Sequence, residues 1–125
     1  MREPIRDRNR LLHILKAIDT ILERTDGIIF EDLANDKMLF GCVVYYTLII
    51  GEAAYKLSKS FTANNPQVNW RDLSDMRHHL VHGYYQVDSS IVWSVIQNDL
   101  HPLRAQISEL LASTDWEQWE QNNEL

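Results

Sequence analysis

Asn35 to Ser60 reads NDKMLFGCVVYYTLIIGEAAYKLSKS, and the fold turns on what this stretch becomes. Its middle, with Val43, Val44, Tyr45, Tyr46, Ile49 and Ile50, is rich enough in β-branched and aromatic residues to favour a strand on propensity alone. Length argues the other way. The run carries no internal turn signal and continues through Ala53, Ala54, Lys56, Leu57 and Lys59, well beyond the usual length of a strand. The reading is therefore one long helix from about Asn35 or Asp36 to Ser60. It is apolar almost all round, which predicts packing on several sides.

Helical patterns flank it. From Ile5 to Arg24, Ile5, Leu11, Leu12, Leu15, Ile18, Ile21 and Leu22 recur at helical spacing. Thr25, Asp26 and Gly27 stop that helix, with Gly27 suited to a C-terminal cap. Phe30 to Leu33 has room for a short turn. After the Asn64-Asn65-Pro66 loop, Asn69 can cap a helix whose apolar stripe is Trp70, Leu73, Met76, Leu80 and Val81, ended by Gly83. Asp88 or Ser89 opens the last long helix, carried by Val92, Trp93, Val95, Ile96, Leu100, Leu103, Ile107, Leu110 and Leu111. Pro102 lies inside it, so a kink or break near Asp99 to His101 is expected. The fold class that results is an all-α bundle of four long helices with short pieces. The division is a helical domain over 1–112 and an acidic tail over 113–125, where Trp116 and Trp119 could dock as a final turn.

Composition narrows the classes of function. A chain of 125 residues is one domain, and four glycines and three prolines are too few for a sandwich or barrel. Cys42 is the only cysteine, so no intramolecular disulfide can form, and its place in an apolar helix suits a small core residue. That usage, and the absence of an apolar segment behind the arginine-rich start, lead to the expectation of a cytoplasmic protein with no membrane association. Met38 to Ile50 is itself too short to span a bilayer. The net charge of −6 predicts weak non-specific affinity for nucleic acid. A nucleic-acid site would have to be a local positive pocket.

One cluster carries chemistry: Arg77, His78, His79 and His82, followed by Gly83, Tyr84 and Tyr85. A guanidinium is a permanent cation with a planar donor fork suited to phosphate. An imidazole is the side chain best matched to moving a proton near neutral pH. The two together are the minimum equipment for cutting RNA without a metal, and no cofactor is expected. Positions five apart on a helix differ by ~140°. Arg77 and His82 therefore leave the helix on different faces, whereas His78 and His82 share one. Either the arginine folds round, or the site joins Arg77 and His82 from two subunits at a two-fold axis.

The segment from Asp75 to Tyr84 resembles the R-x4-H-x-Y signature of the HepT-type HEPN toxins. Further blocks fit in order: Arg6-Asp7, Phe30 to Asp36, Ile50 to Ala54, and Val87-Asp88 followed by Ile91 to Trp93. The similarity covers nearly the whole chain except the tail. It implies an all-helical homodimer with a metal-independent RNase site in a cleft where two copies of the motif meet. Arg77 and His82 would be catalytic, and the RNA target would be a tRNA or mRNA. It also implies an antitoxin partner, an MntA-type nucleotidyltransferase, that transfers AMP to the motif tyrosine, here Tyr84. Where the family usually has asparagine after the arginine, this chain has His78, which leaves the role of that position open between orienting the phosphate and carrying a second proton.

Plainer readings stand beside this one. His82 near a helix end could be a structural or capping group. Arg77 could simply pair with Asp72, Asp75 or a carboxylate on a neighbouring helix. His78, His79 and His82 could chelate zinc through an i,i+4 pair, although no third ligand of another type is obviously placed. Glu52, amid apolar neighbours, should be buried and needs a partner, for which Arg77 is the candidate. It and His79 are at most supporting groups. A non-catalytic helical dimer that binds a nucleotide or a nucleotidyltransferase is the alternative class; the acidic charge and the missing asparagine lean slightly toward it, and the intact Arg-His-Tyr spacing leans more toward the ribonuclease.

Overall fold

The computed structural model describes residues 7–83 and 86–122, which are helical almost throughout, with no strand among them. The elements are α1 (Asp7–Arg24), α2 (Phe30–Asn35), α3 (Lys37–Lys56), α4 (Lys59–Asn64), α5 (Trp70–His82), α6 (Ser89–Ser94), a π-helical turn (Val95–Asp99), α7 (Leu100–Ser113) and α8 (Trp116–Asn122). Helix α3 is the spine. It packs against α1 on one side and α5 on another, and α7 lies along α1. The chain is thus the all-α bundle its periodicity predicts, with α6, the π turn and α7 forming the fourth long helix.

Local chemistry explains most boundaries. The Asp36 side chain accepts from the backbone N–H groups of Met38 and Leu39 and starts α3. Asn69 does the same for Asp72 in α5, and Asp88 for Ser90 in α6. Gly27 has φ +74°, the left-handed conformation that only glycine adopts freely. Pro102 has no N–H for the carbonyl four residues back and its ring crowds that carbonyl. The chain responds one turn earlier: the Leu100 N–H reaches back five residues to the Val95 carbonyl, and the helix continues through a π turn with no break. Val92, Ile96, Leu100, Leu103, Ile107 and Leu110 stay on one buried line across it.

Four details differ from the sequence reading. The central helix ends at Lys56 and not Ser60, because Leu57 is extended and Ser58 caps a separate helix, α4. Asp7 fixes that corner. Wholly buried, it accepts from the Ser58 N–H at 2.8 Å and the Ser58 hydroxyl at 2.6 Å, and also from the Trp119 indole at 3.1 Å. The buried face of α1 is Leu11, Ile14, Ala17, Ile18 and Ile21, while Leu12 is exposed. The stripe on α5 is only half-covered, and Val81 faces solvent. Lastly, α3 is not covered all round: Met38 is 85% exposed and Tyr45 55%. By length and composition alone α3 could cross a membrane, a test that the core helix of a soluble protein also passes.

The segment after Ser113 packs on the body. Trp116 stacks on Phe61 with centroids 5.7 Å apart, and Trp119 meets the same ring edge-on at 5.4 Å. Phe61, fully buried, anchors α4, α5 and α8 together through these contacts and a third with Trp70 at 6.2 Å.

Candidate active site

Helix α5 holds the charged motif, and Gly51 on α3 decides how close α5 comes. A Cβ at Gly51 would lie 2.6 Å from Arg77 Cβ and 2.7 Å from the Leu73 carbonyl oxygen. No larger residue fits without moving one helix. This close approach sets the Arg77 side chain across α3, where its Nε–H donates to Glu52 Oε2 in an ion pair. The guanidinium carbon also sits 5.0 Å from the centre of the Tyr55 ring. Arg77 is therefore oriented by two residues of one neighbouring helix, and of the partners the sequence left open, Asp72, Asp75 or a carboxylate on another helix, it pairs with Glu52. Contrary to expectation Glu52 is not buried, since its side chain is 41% exposed.

His78 and His82 turn outward. Both are exposed, and their rings lie 4.4 Å apart with planes tilted by 46°. The i,i+4 spacing has brought two proton carriers side by side on the surface, as the helix geometry requires. His79 is 6.2 Å from His78 and lines a different space. Gly83 ends α5 by donating its N–H to the His79 carbonyl at 2.8 Å. Its own missing Cβ would sit 2.9 Å from that oxygen. Tyr84 lies outside the described residues. No group of three or more His, Cys, Asp or Glu side chains able to hold a metal occurs among the described residues.

Two hollows flank α5. The larger, a cleft of about 930 Å³ toward α6 and α7, is lined by Leu73, Met76 and Val92 with Asp72, Asp75 and Asp88 among its polar residues, a poor setting for phosphate. The smaller, about 770 Å³, opens where α3, α4 and the start of α5 meet, and Tyr55, Asn69, Arg71 and Ser74 line it. Sequence reasoning passed over Gly51, Tyr55 and Arg71. The signal for Tyr55 was present, because it follows Glu52 by three residues and so faces the same neighbour.

Within one chain, then, Arg77 is turned inward to α3, while His78 and His82 stand outside. All three sit on α5 and reach solvent, the arginine on a different face from His82.

Comparison with known proteins points to ribonucleases. The family model described as Ribonuclease HepT-like matches residues 14–110. A protein of Caldanaerobacter subterraneus subsp. tengcongensis, carrying the name "Putative RNase", is 37% identical over 101 residues, covering 81% of this chain and 90% of its own. A "Probable ribonuclease HepT" of Thermococcus cleftensis is 34% identical over 97 residues, covering 78% of this chain and 88% of that protein. A Methanocaldococcus jannaschii protein that joins a gamma-glutamylcyclotransferase to an RNase named in the same way is 30% identical over 105 residues, 47% of its length. No solved structure matches.

Proposed function

Because this chain belongs to the HepT-like ribonuclease family, we propose that it cleaves RNA without a metal, with Arg77 and His82 as its catalytic pair. His82 takes the proton from a ribose 2′-hydroxyl, and the 2′-oxygen attacks the adjacent phosphorus. The bond to the 5′-oxygen of the next nucleotide breaks, leaving a 2′,3′-cyclic phosphate and a 5′-hydroxyl end. Arg77 holds the phosphate and stabilises the charge that builds on it. His78 protonates the leaving oxygen. The observation that carries this reading is the pair of exposed imidazoles 4.4 Å apart on the same helix as a guanidinium whose direction is set by Glu52 and Tyr55.

The working unit in this reading is a homodimer. Helix α3 leaves Met38 and Tyr45, seven residues apart and so on one face, exposed to solvent. A second copy placed over that face would cover them and bring a second α5 near the first. Arg77 of one subunit could then act with His82 of the other.

The protein is further read as a cytoplasmic toxin, acting on tRNA or mRNA and silenced by a nucleotidyltransferase that adds AMP to the Tyr84 hydroxyl. Bulk and negative charge two residues from His82 would bar an RNA phosphate. The test is purified protein incubated with total RNA in a chelator. Expected are fragments ending in cyclic phosphate, none from DNA, and no cleavage by a folded His82→Ala variant. Full cleavage by that variant would remove the mechanism. Growth arrest on expression, relieved by a neighbouring nucleotidyltransferase with a mass gain in whole AMP units, tests the toxin role.

A further inference from the structure

The geometry points to a second contact zone for RNA: the groove between Tyr55, Thr62, Gln67, Asn69, Arg71 and Ser74 holds a nucleotide flanking the scissile linkage. Tyr55 is the platform for its base and Arg71 the contact for its phosphate. This inference rests on the ribonuclease reading and extends it from the reacting atoms to the substrate strand.

Three observations lead there. The groove adjoins the arginine assigned to the phosphate, because Tyr55, a residue 43% exposed, both lines it and has the Arg77 guanidinium carbon 5.0 Å from its ring centre. A base neighbouring a phosphate held by Arg77 therefore meets an aromatic face at once, and stacking on such a face is the usual way a single strand is held without sequence preference. Next, one face of α5 leads from the groove to the histidines. Arg71, Ser74, His78 and His82 follow at intervals of three, four and four, the helical repeat of a single face. The track runs about 16 Å from His82 to Arg71, enough for a few nucleotides. Finally, the two hollows differ in the charge of their linings. Asp72, Asp75 and Asp88 line the larger cleft, whereas the smaller groove is lined by Arg71 and by no carboxylate. In a chain of net charge −6, the smaller groove is the better setting for a phosphate.

The groove's size fits the role, at about 770 Å³ and open to solvent, with Thr62, Asn69 and Ser74 among its polar residues. It is shaped for a passing strand and not for an enclosed small molecule. It also lies at the far end of α3 from Met38, so a copy docked on the Met38–Tyr45 face leaves it accessible.

The experiment uses the full-length His82→Ala protein, which binds without cutting, and a short fluorescent oligoribonucleotide of mixed sequence. Arg71→Ala is expected to weaken binding about tenfold and to lower the slope of log affinity against log salt by about 0.7, one phosphate contact on a single strand. Arg71→Lys restores the slope. Tyr55→Leu weakens binding about tenfold with the slope unchanged, and Tyr55→Phe restores it. If the parent binds and wild-type protein cleaves, yet Arg71→Ala and Tyr55→Leu bind like the parent with an unaltered slope, the groove is not an RNA site and the ribonuclease reading survives. If those variants bind RNA normally but escape neutralisation by the nucleotidyltransferase, the groove belongs to the protein partner and the inference is likewise overturned. No binding or cleavage by any form would sink both readings together.

Discussion

The Cβ that Gly51 lacks would stand 2.6 Å from the Cβ of Arg77. Arg77 thus owes its position to an absent methyl group on the neighbouring helix. Gly51→Ala must push α5 from α3 or bend one of them. Overpacking of this kind costs about 1–3 kcal/mol, partly offset by the better helix propensity of alanine. The expected result is a modest drop in thermal midpoint and a much larger drop in RNA cleavage, measured at a temperature where the variant is fully folded. Cleavage falling only in step with stability would mean that the spacing of α3 and α5 does not matter for chemistry.

Glu52 and Tyr55 hold Arg77 from α3. Glu52 is half-exposed, so the ion pair itself contributes little to stability, about 1 kcal/mol at most. Its effect should appear in catalysis. If Arg77 holds the scissile phosphate, Arg77→Ala is expected to lower single-turnover cleavage about 100-fold or more. Glu52→Gln retains an acceptor for the guanidinium and should cost about threefold, Glu52→Ala about tenfold, since the arginine keeps its charge but loses its orientation. Equal losses for Glu52→Ala and Arg77→Ala would assign Glu52 a direct part in the reaction.

Much of this arrangement was readable from residue order, and what was not has a common cause. The caps at Asn69 and Asp88 and the stop at Gly27 are local signals whose partners lie within a few residues, and all three sit where the sequence placed them. The break at Leu57 was invisible because Ser58 is held by Asp7, 51 residues away. An apolar pattern also does not tell a core from an interface. Helix α3 looks buried all round in sequence, yet Met38 and Tyr45 face solvent. At the site, the His78–His82 spacing was legible as a shared face and the Arg77–Glu52 pair as a candidate. The role of Gly51 was not, since it depends on which helix crosses there.

Asp7 links the N-terminal helix, the corner before α4 and the last helix through one buried carboxyl. Burial raises its pKa above the ordinary 3.8, outweighing the opposing effect of the Ser58 and Trp119 donors and of Arg10. The folded state therefore holds this proton more tightly than the unfolded chain. Below pH 3.8 the group contributes its full stabilisation, and the contribution is lost as pH rises through the raised native value. Asp7→Asn should remove that component from the pH dependence of the denaturant midpoint. It should also destabilise the protein at pH 7 by about 1–3 kcal/mol, because an amide cannot accept from all three donors. A pH profile parallel to the parent's would show that Asp7 titrates alike in both states.

Tyr45 offers the sharpest separation of fold from assembly. It is 55% exposed and meets Tyr46 edge-on at 5.2 Å, so it takes little part in the core. A charge placed there should leave the helices intact, because α3 keeps Val43, Thr47 and Ile50 buried against its neighbours. Two copies of Tyr45→Glu facing one another across a two-fold axis would bury like charges, which carries a penalty of several kcal/mol. The expected outcome is a monomer by light scattering with an unchanged helical signal in circular dichroism. If Arg77 and His82 act from opposite subunits, cleavage should vanish with the dimer. It should return in part when Arg77→Ala and His82→Ala chains, both with Tyr45 intact, are mixed, because one of the two shared sites then contains a complete pair. A monomeric Tyr45→Glu protein that cuts RNA at the parental rate would place the whole site within one chain.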